Sequence, residues 1–286
     1  MGATVTMTRR VAFSAGHRYW RPDLSDAENR QLFGRWASPF AHGHNYTLDA
    51  RVSGEIDPRT GMVVNIKRVD DVLKARILTV YDGRCLNQEV ESLIPKSPTL
   101  ETLLHDIADR LGDEFQVRTH LEGLSEATVH LTGLLLKEKE DLYAEMSLPD
   151  RTMTLTRTYE FAAAHRLHAE WLSEEENQTL FGKCNNPNGH GHNYVLEVTV
   201  GGEPESTTGM LVDLGALDAA VAGLVVDRYD HKNLDLDVEE LKGKITTSEN
   251  VARAIFDLLN EKVPARLERI KLWETARNAF EVTREA

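Results

Sequence analysis

The sequence is poor in cysteine, in long apolar runs and in positive charge. It has two cysteines, Cys85 and Cys184, among 286 residues. That is too few for a disulfide framework and is typical of a protein from a reducing compartment. No run of about 18 apolar residues occurs, and the N-terminal MGATVTMTRRVAF lacks the apolar core of a signal peptide. We therefore expect a cytoplasmic protein that neither spans a membrane nor follows a standard export route.

The charge balance is acidic. Lysine and arginine number 33 against 46 aspartates and glutamates, which gives a net charge of −13 with neutral histidines. Non-specific nucleic-acid binding needs a basic surface, so we expect no nucleic-acid partner. A polyphosphate substrate would need a local basic pocket that works against this overall field. The length allows two domains, each large enough to bury its own core.

The chain repeats itself at a fixed offset of 148 residues. Residues that return at this offset include His17 as His165, Leu32-Phe33-Gly34 as Leu180-Phe181-Gly182, His42-Gly43-His44-Asn45-Tyr46 as His190-Gly191-His192-Asn193-Tyr194, Thr60-Gly61-Met62 as Thr208-Gly209-Met210, and Asp82 as Asp230. A register held over such a span indicates a tandem duplication of whole domains. We predict domains 1–148 and 149–286, joined near Pro149, which suits a linker.

Each half shows one pattern of predicted elements. They are an opening strand (Arg9–Ala15; Leu155–Ala163), a second strand from HGHNY, a third strand Met210–Leu214, a helix to about Val225, an amphipathic helix capped by Thr247-Ser248-Glu249-Asn250, and a last strand Ile270–Glu274. The order β-β-β-α-α-β, with hairpin-type neighbours, predicts an α+β domain with helices on one face of an antiparallel sheet.

The histidines have the spacing of metal ligands. His190 and His192 lie two residues apart on a strand, so their side chains point to one face and can hold one ion. His165, on the opening strand, supplies a third ligand if the two strands are neighbours. Three histidines with an open fourth position are the arrangement of a catalytic zinc site, although other first-row divalent ions also suit imidazole. The first half repeats this set as His17, His42 and His44.

Three further features of the second half suit acid–base or binding chemistry. Cys184 precedes His190 by six residues, and the turn-forming Asn-Asn-Pro-Asn-Gly between them loops the thiol back towards the metal, where it can act as a thiolate base. The pair Asp230-His231 can move protons, or simply form a turn. Glu274 can accept two N–H bonds from an amidine-like edge, or be a solvated surface carboxylate.

Six stretches of the second half occur in the order of one known family. They are FAAAHRL, LFGKCNNPNGHGHNY, TGMLVDL, YDHKNLD, TTSENVA and WETARNAFEV, and they cover nearly all of residues 152–286. On these stretches the second half resembles the 6-pyruvoyl-tetrahydropterin synthases. The five residues between Cys184 and His190 match the pyruvoyl type, since the sister 6-carboxytetrahydropterin synthases of queuosine synthesis often have a shorter gap there.

The resemblance implies a tunnelling fold (T-fold), in which domains assemble into barrels around a threefold axis and two barrels stack. The residues that it implies are the zinc ligands His165, His190 and His192, the base Cys184 assisted by Asp230 and His231, and the pterin-binding Glu274, Thr247 and Ser248. The implied reaction eliminates triphosphate from 7,8-dihydroneopterin triphosphate, as in tetrahydrobiopterin biosynthesis. The alternatives are a 6-carboxytetrahydropterin synthase and a non-catalytic zinc- or pterin-binding protein.

The first half departs from this pattern. It keeps its three histidines, Asp82 and a carboxylate, Glu138, which aligns with Glu274 after an insertion of twelve residues. Trp36 stands at the Cys184 position and Gly83 at the His231 position, while Cys85 stands at the position of an asparagine. We therefore predict a first half that binds metal, with or without a pterin, but does not run the elimination; a purely structural half is the alternative. We also expect a homotrimer of six domains, in rings of like halves.

Overall fold

The structure is a computed structural model that describes residues 3–115 and 129–285. The chain forms two compact units. The first comprises Met1–Leu155 together with Gly202–Leu211, and the second comprises Thr156–Gly201 together with Val212–Ala286. The domain boundary after residue 148 stays a prediction.

The described residues form ten strands and nine α-helices. The strands are β1 Thr4–His17, β2 His42–Glu55, β3 Arg84–Cys85, β4 His130–Lys139, β5 Leu142–Ser147, β6 Met153–His165, β7 His190–Gly201, β8 Lys232–Asn233, β9 Arg266–Thr275 and β10 Asn278–Thr283. The helices are α1 Asp26–Phe33, α2 Ile66–Leu73, α3 Thr79–Tyr81, α4 Leu86–Glu89, α5 Leu100–Leu111, α6 Glu174–Phe181, α7 Leu214–Val221, α8 Asp227–Tyr229 and α9 Ser248–Leu259.

Both halves build an open, mainly antiparallel sheet. In the first half the strand order is β5-β4-β2-β1-β3, and only the short β3 runs parallel to its neighbour. In the second half the order is β10-β9-β7-β6, with β8 parallel to β6. Helix α5 packs on β4 and β5, and α9 packs on β9 and β10. The predicted α+β class, with helices against antiparallel sheets, is confirmed.

The strand that carries HGHNY has the predicted alternation. Tyr194, Leu196 and Val198 of β7 are fully buried, as expected for the inward face of a sheet with one covered side. The cap of the last long helix is also as predicted, because the Thr247 side chain accepts a hydrogen bond from the backbone of Asn250.

The predicted third strand, Met210–Leu214, is wrong. Residues 210–212 form no strand, and 211 and 212 lie in bends. Asp213 is instead the N-cap of α7, where its carboxylate accepts hydrogen bonds from the backbone N–H groups of Gly215 and Ala216. The apolar run is buried without pairing to a strand, so its hydrophobicity was misread as a strand signal. Strand β10, which forms a hairpin with β9, was not predicted. Within the described ranges, we find no helix with the length and apolarity that a membrane span requires.

Candidate metal centres and acid–base residues

The opening strand and the HGH strand bring three imidazoles together in each half. In the first half His17 lies opposite His42, and Ala15 lies opposite His44. The possible ligand atoms of His17, His42 and His44 lie within 4.8 Å of one another, and the same limit holds for His165, His190 and His192. This close pairing favours glycine between His190 and His192, because a Cβ at Gly191 would lie 3.2 Å from the carbonyl oxygen of Ala163.

A backbone carbonyl orients the most buried histidine of each set. His17 Nδ1 lies 2.8 Å from the Pro98 oxygen, and His165 Nδ1 lies 2.7 Å from the Thr246 oxygen. Each ring therefore donates its Nδ1 proton to a carbonyl and presents the Nε2 lone pair to the centre, as metal-bound histidines commonly do. Both Nε2 atoms are buried and have no hydrogen-bond partner among the described residues. A divalent ion would satisfy them, so the donor set fits zinc.

Burial favours the neutral form of five of the six histidines. Loss of solvent lowers the pKa of His17 to about 3 and that of His44 to about 4. Desolvation also lowers the pKa values of His42, His190 and His192. A neutral imidazole is the form that binds metal, so these groups need lose no proton at pH 7 before they coordinate an ion.

A carboxylate stands beside each histidine set. In the second half Glu274 Oε1 lies 3.9 Å from His165 Nε2 and 4.0 Å from His192 Nε2. In the first half the Glu138 oxygens lie 3.8 Å from His17 Nε2 and 3.4 Å from His44 Nε2. The structure thus places Glu138 where it places Glu274, which agrees with the alignment across the twelve-residue insertion.

The environment of Glu274 holds it as an anion. Ser248 Oγ donates to Oε1 at 2.7 Å, and Asn278 Nδ2 donates to Oε2 at 3.3 Å. Partial burial raises the pKa of Glu274, but these two hydrogen bonds and the nearby His192 and His165 together outweigh it, so that pKa lies below its ordinary value. Ser248, a predicted pterin-binding residue, therefore touches the predicted pterin anchor, whereas Thr247 serves as the helix cap. Leu100 stands at the Ser248 position in the first half.

Asp230 and His231 form one tight turn against β6. Asp230 Oδ1 accepts the backbone N–H of Ala162 at 2.7 Å, and His231 N donates to the Ala162 oxygen at 2.6 Å. These contacts, with the Ala162 N–H contributing most and His231 less, lower the pKa of Asp230. The second carboxylate oxygen lies 2.8 Å from His231 Nδ1, so the imidazole is oriented although its side chain is 83% exposed.

The equivalent turn in the first half has the same backbone but a glycine. Asp82 Oδ1 accepts the N–H of Ser14 at 2.9 Å, and Gly83 N donates to the Ser14 oxygen at 2.7 Å. Gly83 has φ of 72° and His231 has φ of 57°. Left-handed backbone suits glycine and is uncommon for other residues. The second half therefore holds an imidazole at a position where the backbone favours glycine.

Within one chain, Cys184 does not contact the pair Asp230 and His231. Cys184 lies in a short 3-10 helix, Gly182–Asn185, and its carbonyl oxygen accepts the N–H of Leu167. The His231 turn is bonded to Ala162, five residues earlier along the same stretch of chain. Among the described residues no hydrogen bond joins Cys184 to Asp230 or His231.

Sequence reasoning missed a cavity of about 500 Å³ in the second unit. Its lining includes Arg166 and Gly189, which directly adjoin two of the histidines, together with His168 and Lys244. Arg166 Nε donates to Asn185 Oδ1 at 3.1 Å, which ties it to the residue after Cys184. The return of Arg18 as Arg166 and of Lys96 as Lys244 at the repeat offset was the available signal for these two cations, which share the lining with Glu170 and Asp235.

Comparison with known proteins gives matches to each half. A family model described as 6-pyruvoyl tetrahydropterin synthase matches residues 6–147 and again residues 154–285. The human 6-pyruvoyl tetrahydrobiopterin synthase is 46% identical over 125 residues, which cover 43% of this chain and 86% of that protein. A solved 6-pyruvoyl tetrahydropterin synthase from Caenorhabditis elegans is 46% identical, covers 47% of this chain and 96% of its own, and has a TM-score of 0.45. A 6-carboxy-5,6,7,8-tetrahydropterin synthase from Aquifex aeolicus is 28% identical over 160 residues, which cover 46% of this chain and 98% of that protein.

Proposed function

The chain belongs to the 6-pyruvoyl tetrahydropterin synthase family in both of its halves, and from this premise we propose that its second half is a zinc-dependent lyase. The substrate is 7,8-dihydroneopterin triphosphate, from which triphosphate is eliminated while hydrogens shift within the side chain and ring. The step is internally balanced, so it consumes no oxidant or reductant. The observation that carries this proposal is His231, an Asp-oriented imidazole retained at a left-handed position that suits glycine better.

The histidines and Glu274 position the substrate in this proposal. His165, His190 and His192 hold the metal ion, and the Thr246 carbonyl keeps the first of these rings in its orientation. When bound, zinc acts as a Lewis acid on the side-chain hydroxyls and acidifies the adjacent C–H bond. The Glu274 carboxylate, kept ionised by Ser248, accepts N–H bonds from the 2-amino edge of the pterin.

Cys184 and the Asp230–His231 pair move the protons. The Cys184 thiolate removes the proton from the acidified carbon, and His231, oriented through Nδ1 by Asp230, shuttles protons through its other nitrogen. Because the structure separates Cys184 from His231 within one chain, we propose that the two meet between copies. The first half, with Trp36 and Gly83 at these positions, holds a metal ion without running the elimination.

The experiment that tests this function is mass spectrometry of the products formed from 7,8-dihydroneopterin triphosphate. A pyruvoyl side chain is expected. A carboxyl side chain would instead establish the 6-carboxytetrahydropterin synthase activity, which the Aquifex aeolicus relative makes the second candidate. Cys184→Ala should abolish turnover and retain zinc, whereas the matched control Cys85→Ala should keep both. No product from the metal-loaded wild type would leave a non-catalytic zinc- or pterin-binding protein.

A further inference from the structure

The two side chains that hold Glu274 are replaced by leucines in the first half. Ser248 and Asn278 donate the hydrogen bonds to Glu274. Leu100 stands at the Ser248 position by the repeat offset. Leu142 stands at the Asn278 position, because each pairs across its hairpin with the residue directly after the carboxylate. A leucine side chain donates no hydrogen bond, so the first-half carboxylate is not held in the way that Glu274 is.

The first-half carboxylate, Glu138, is also the more deeply buried of the two. Its side chain is 5% exposed, against 17% for Glu274. Leu100 and Leu142 are buried as well. A carboxylate that is taken out of water is costly unless it is hydrogen-bonded, paired with a cation or bound to a metal ion. The surroundings of the two carboxylates therefore favour different roles in the two halves.

Glu138 lies closer to its histidines than Glu274 lies to its own. Glu138 Oε1 is 3.4 Å from His44 Nε2, and Glu138 Oε2 is 3.8 Å from His17 Nε2. The matching distances from Glu274 Oε1 are 4.0 and 3.9 Å. Two ligands of one tetrahedral zinc ion, each about 2.0–2.2 Å from it, lie about 3.4 Å apart. The separation between Glu138 and His44 is therefore that of two ligands of one ion.

The atoms that meet at the first-half centre are electron donors. His17 donates its Nδ1 proton to the Pro98 carbonyl, so its Nε2 offers a lone pair to the centre. His44 Nε2 is also buried and has no hydrogen-bond partner among the described residues. A carboxylate oxygen that faces an imidazole lone pair is repelled by it, and a cation between the two atoms attracts both. A metal ion at this centre would therefore stabilise the approach of Glu138.

We propose that Glu138 is a metal ligand, which gives the first half a closed site of four protein ligands for a divalent first-row ion such as zinc. The four are His17, His42, His44 and Glu138. Three imidazoles and one carboxylate complete the tetrahedral sphere of a zinc ion. In the second half the hydrogen bonds to Glu274 hold that carboxylate away from the ion, so the fourth position stays open.

The closed site gives the first half a function of its own. A carboxylate that is bound to the ion does not accept the N–H groups of a pterin edge, and an ion with four protein ligands has no position for a substrate hydroxyl. The first half then binds metal without a pterin. This inference rests on the metal binding that the proposed function assigns to the first half, and it is independent of turnover in the second half.

Two single-site forms of the full chain separate the centres. His192→Ala leaves the first-half centre intact, and His44→Ala leaves the second-half centre intact. Each chain is loaded with Co²⁺, whose visible absorption reports its ligands, and is titrated with azide, an anion that binds an open coordination position. Glu138→Gln is then added to the first chain, and the matched Glu274→Gln to the second. Circular dichroism verifies folding, and competition with a chelator gives the zinc affinity.

Azide should leave the Co²⁺ spectrum of His192→Ala unchanged and should shift that of His44→Ala. With Glu138→Gln added, the first-half spectrum should respond to azide. Zinc affinity there should fall at least about 100-fold, since loss of even an outer-shell partner costs about 10- to 100-fold. Glu274→Gln should change the second-half zinc affinity by less than about tenfold, the lower limit for outer-shell partners.

The outcomes that contradict the proposal are distinct from one another. If His192→Ala binds neither Co²⁺ nor zinc, metal binding by the first half is refuted together with the closed site. If it binds Co²⁺ but responds to azide, or if its zinc affinity survives a folded Glu138→Gln, the fourth ligand alone is refuted. Product formation by the wild-type chain is unaffected by either result, so the proposed lyase activity is judged separately.

Discussion

Replacement of His231 by glycine should separate chemistry from folding. The residue has φ of 57°, and the repeat shows that the same turn accepts glycine, as Gly83 with φ of 72°. Relief of left-handed strain is worth about 1–2 kcal/mol, and the extra freedom of glycine in the unfolded chain costs about 0.5–1 kcal/mol. The lost contact with Asp230 is exposed to solvent and adds little. We therefore expect the free energy of unfolding to stay the same or rise, by at most about 1.5 kcal/mol.

Turnover should respond very differently to the same substitution. A positioned general acid–base group contributes about 10²- to 10⁴-fold to a rate, so kcat for triphosphate release should fall by that range. Urea unfolding gives the stability, and chromatographic quantification of triphosphate gives the rate. Gly83→His in the first half is the reverse control, which should leave turnover unchanged. Wild-type kcat in His231→Gly, or a loss of stability beyond about 2 kcal/mol, would refute the reasoning.

Three further predictions concern the arrangement of the sites. If Cys184 and His231 meet between copies, a mixture of inactive Cys184→Ala and His231→Gly chains should regain part of the wild-type turnover; no recovery would place both in one chain. Inductively coupled plasma mass spectrometry should find two zinc ions per wild-type chain and one zinc ion per chain in each of the variants His44→Ala and His192→Ala. If the zinc content of His44→Ala equals that of the wild type, the first half is purely structural. Glu274→Gln should lower kcat/KM by about 10- to 100-fold, as expected for loss of a charged acceptor worth about 1.5–3 kcal/mol, and an unchanged value would exclude a pterin anchor.

The sequence was most informative where local pattern and the repeat agreed. Two histidines with one residue between them point to the same face only if the segment is a strand, and His190 and His192 do lie on strand β7. The offset then located the first-half set, which the structure also brings together. The Glu138 position followed from aligning two strands across an insertion. Each of these inferences depends on a regular spacing that can be read directly from the sequence, either along one strand or between the two repeats.

Other features depend on contacts between segments distant in sequence. Met210 and Leu211 have the hydrophobicity of a strand, but they are buried by the start of α5, about 110 residues earlier in the chain. The separation of Cys184 from His231 depends on where each turn meets the β6 stretch, which spacing alone does not reveal. The cavity beside the histidines likewise combines residues from four separate segments of the second half.

The carbonyls that orient the histidines have a consequence for folding. The Pro98 oxygen accepts from His17 and immediately precedes Thr99, and the Thr246 oxygen accepts from His165 and immediately precedes Thr247. Thr99 and Thr247 are the N-caps of α5 and α9, so the same short segment orients a metal ligand and begins a helix. Metal loading should accordingly be thermodynamically linked to folding, because an ion that binds only the folded chain stabilises it. Chelation should lower the melting temperature of the metal-loaded chain, and a melting temperature that is indifferent to chelators would show that the two equilibria are independent.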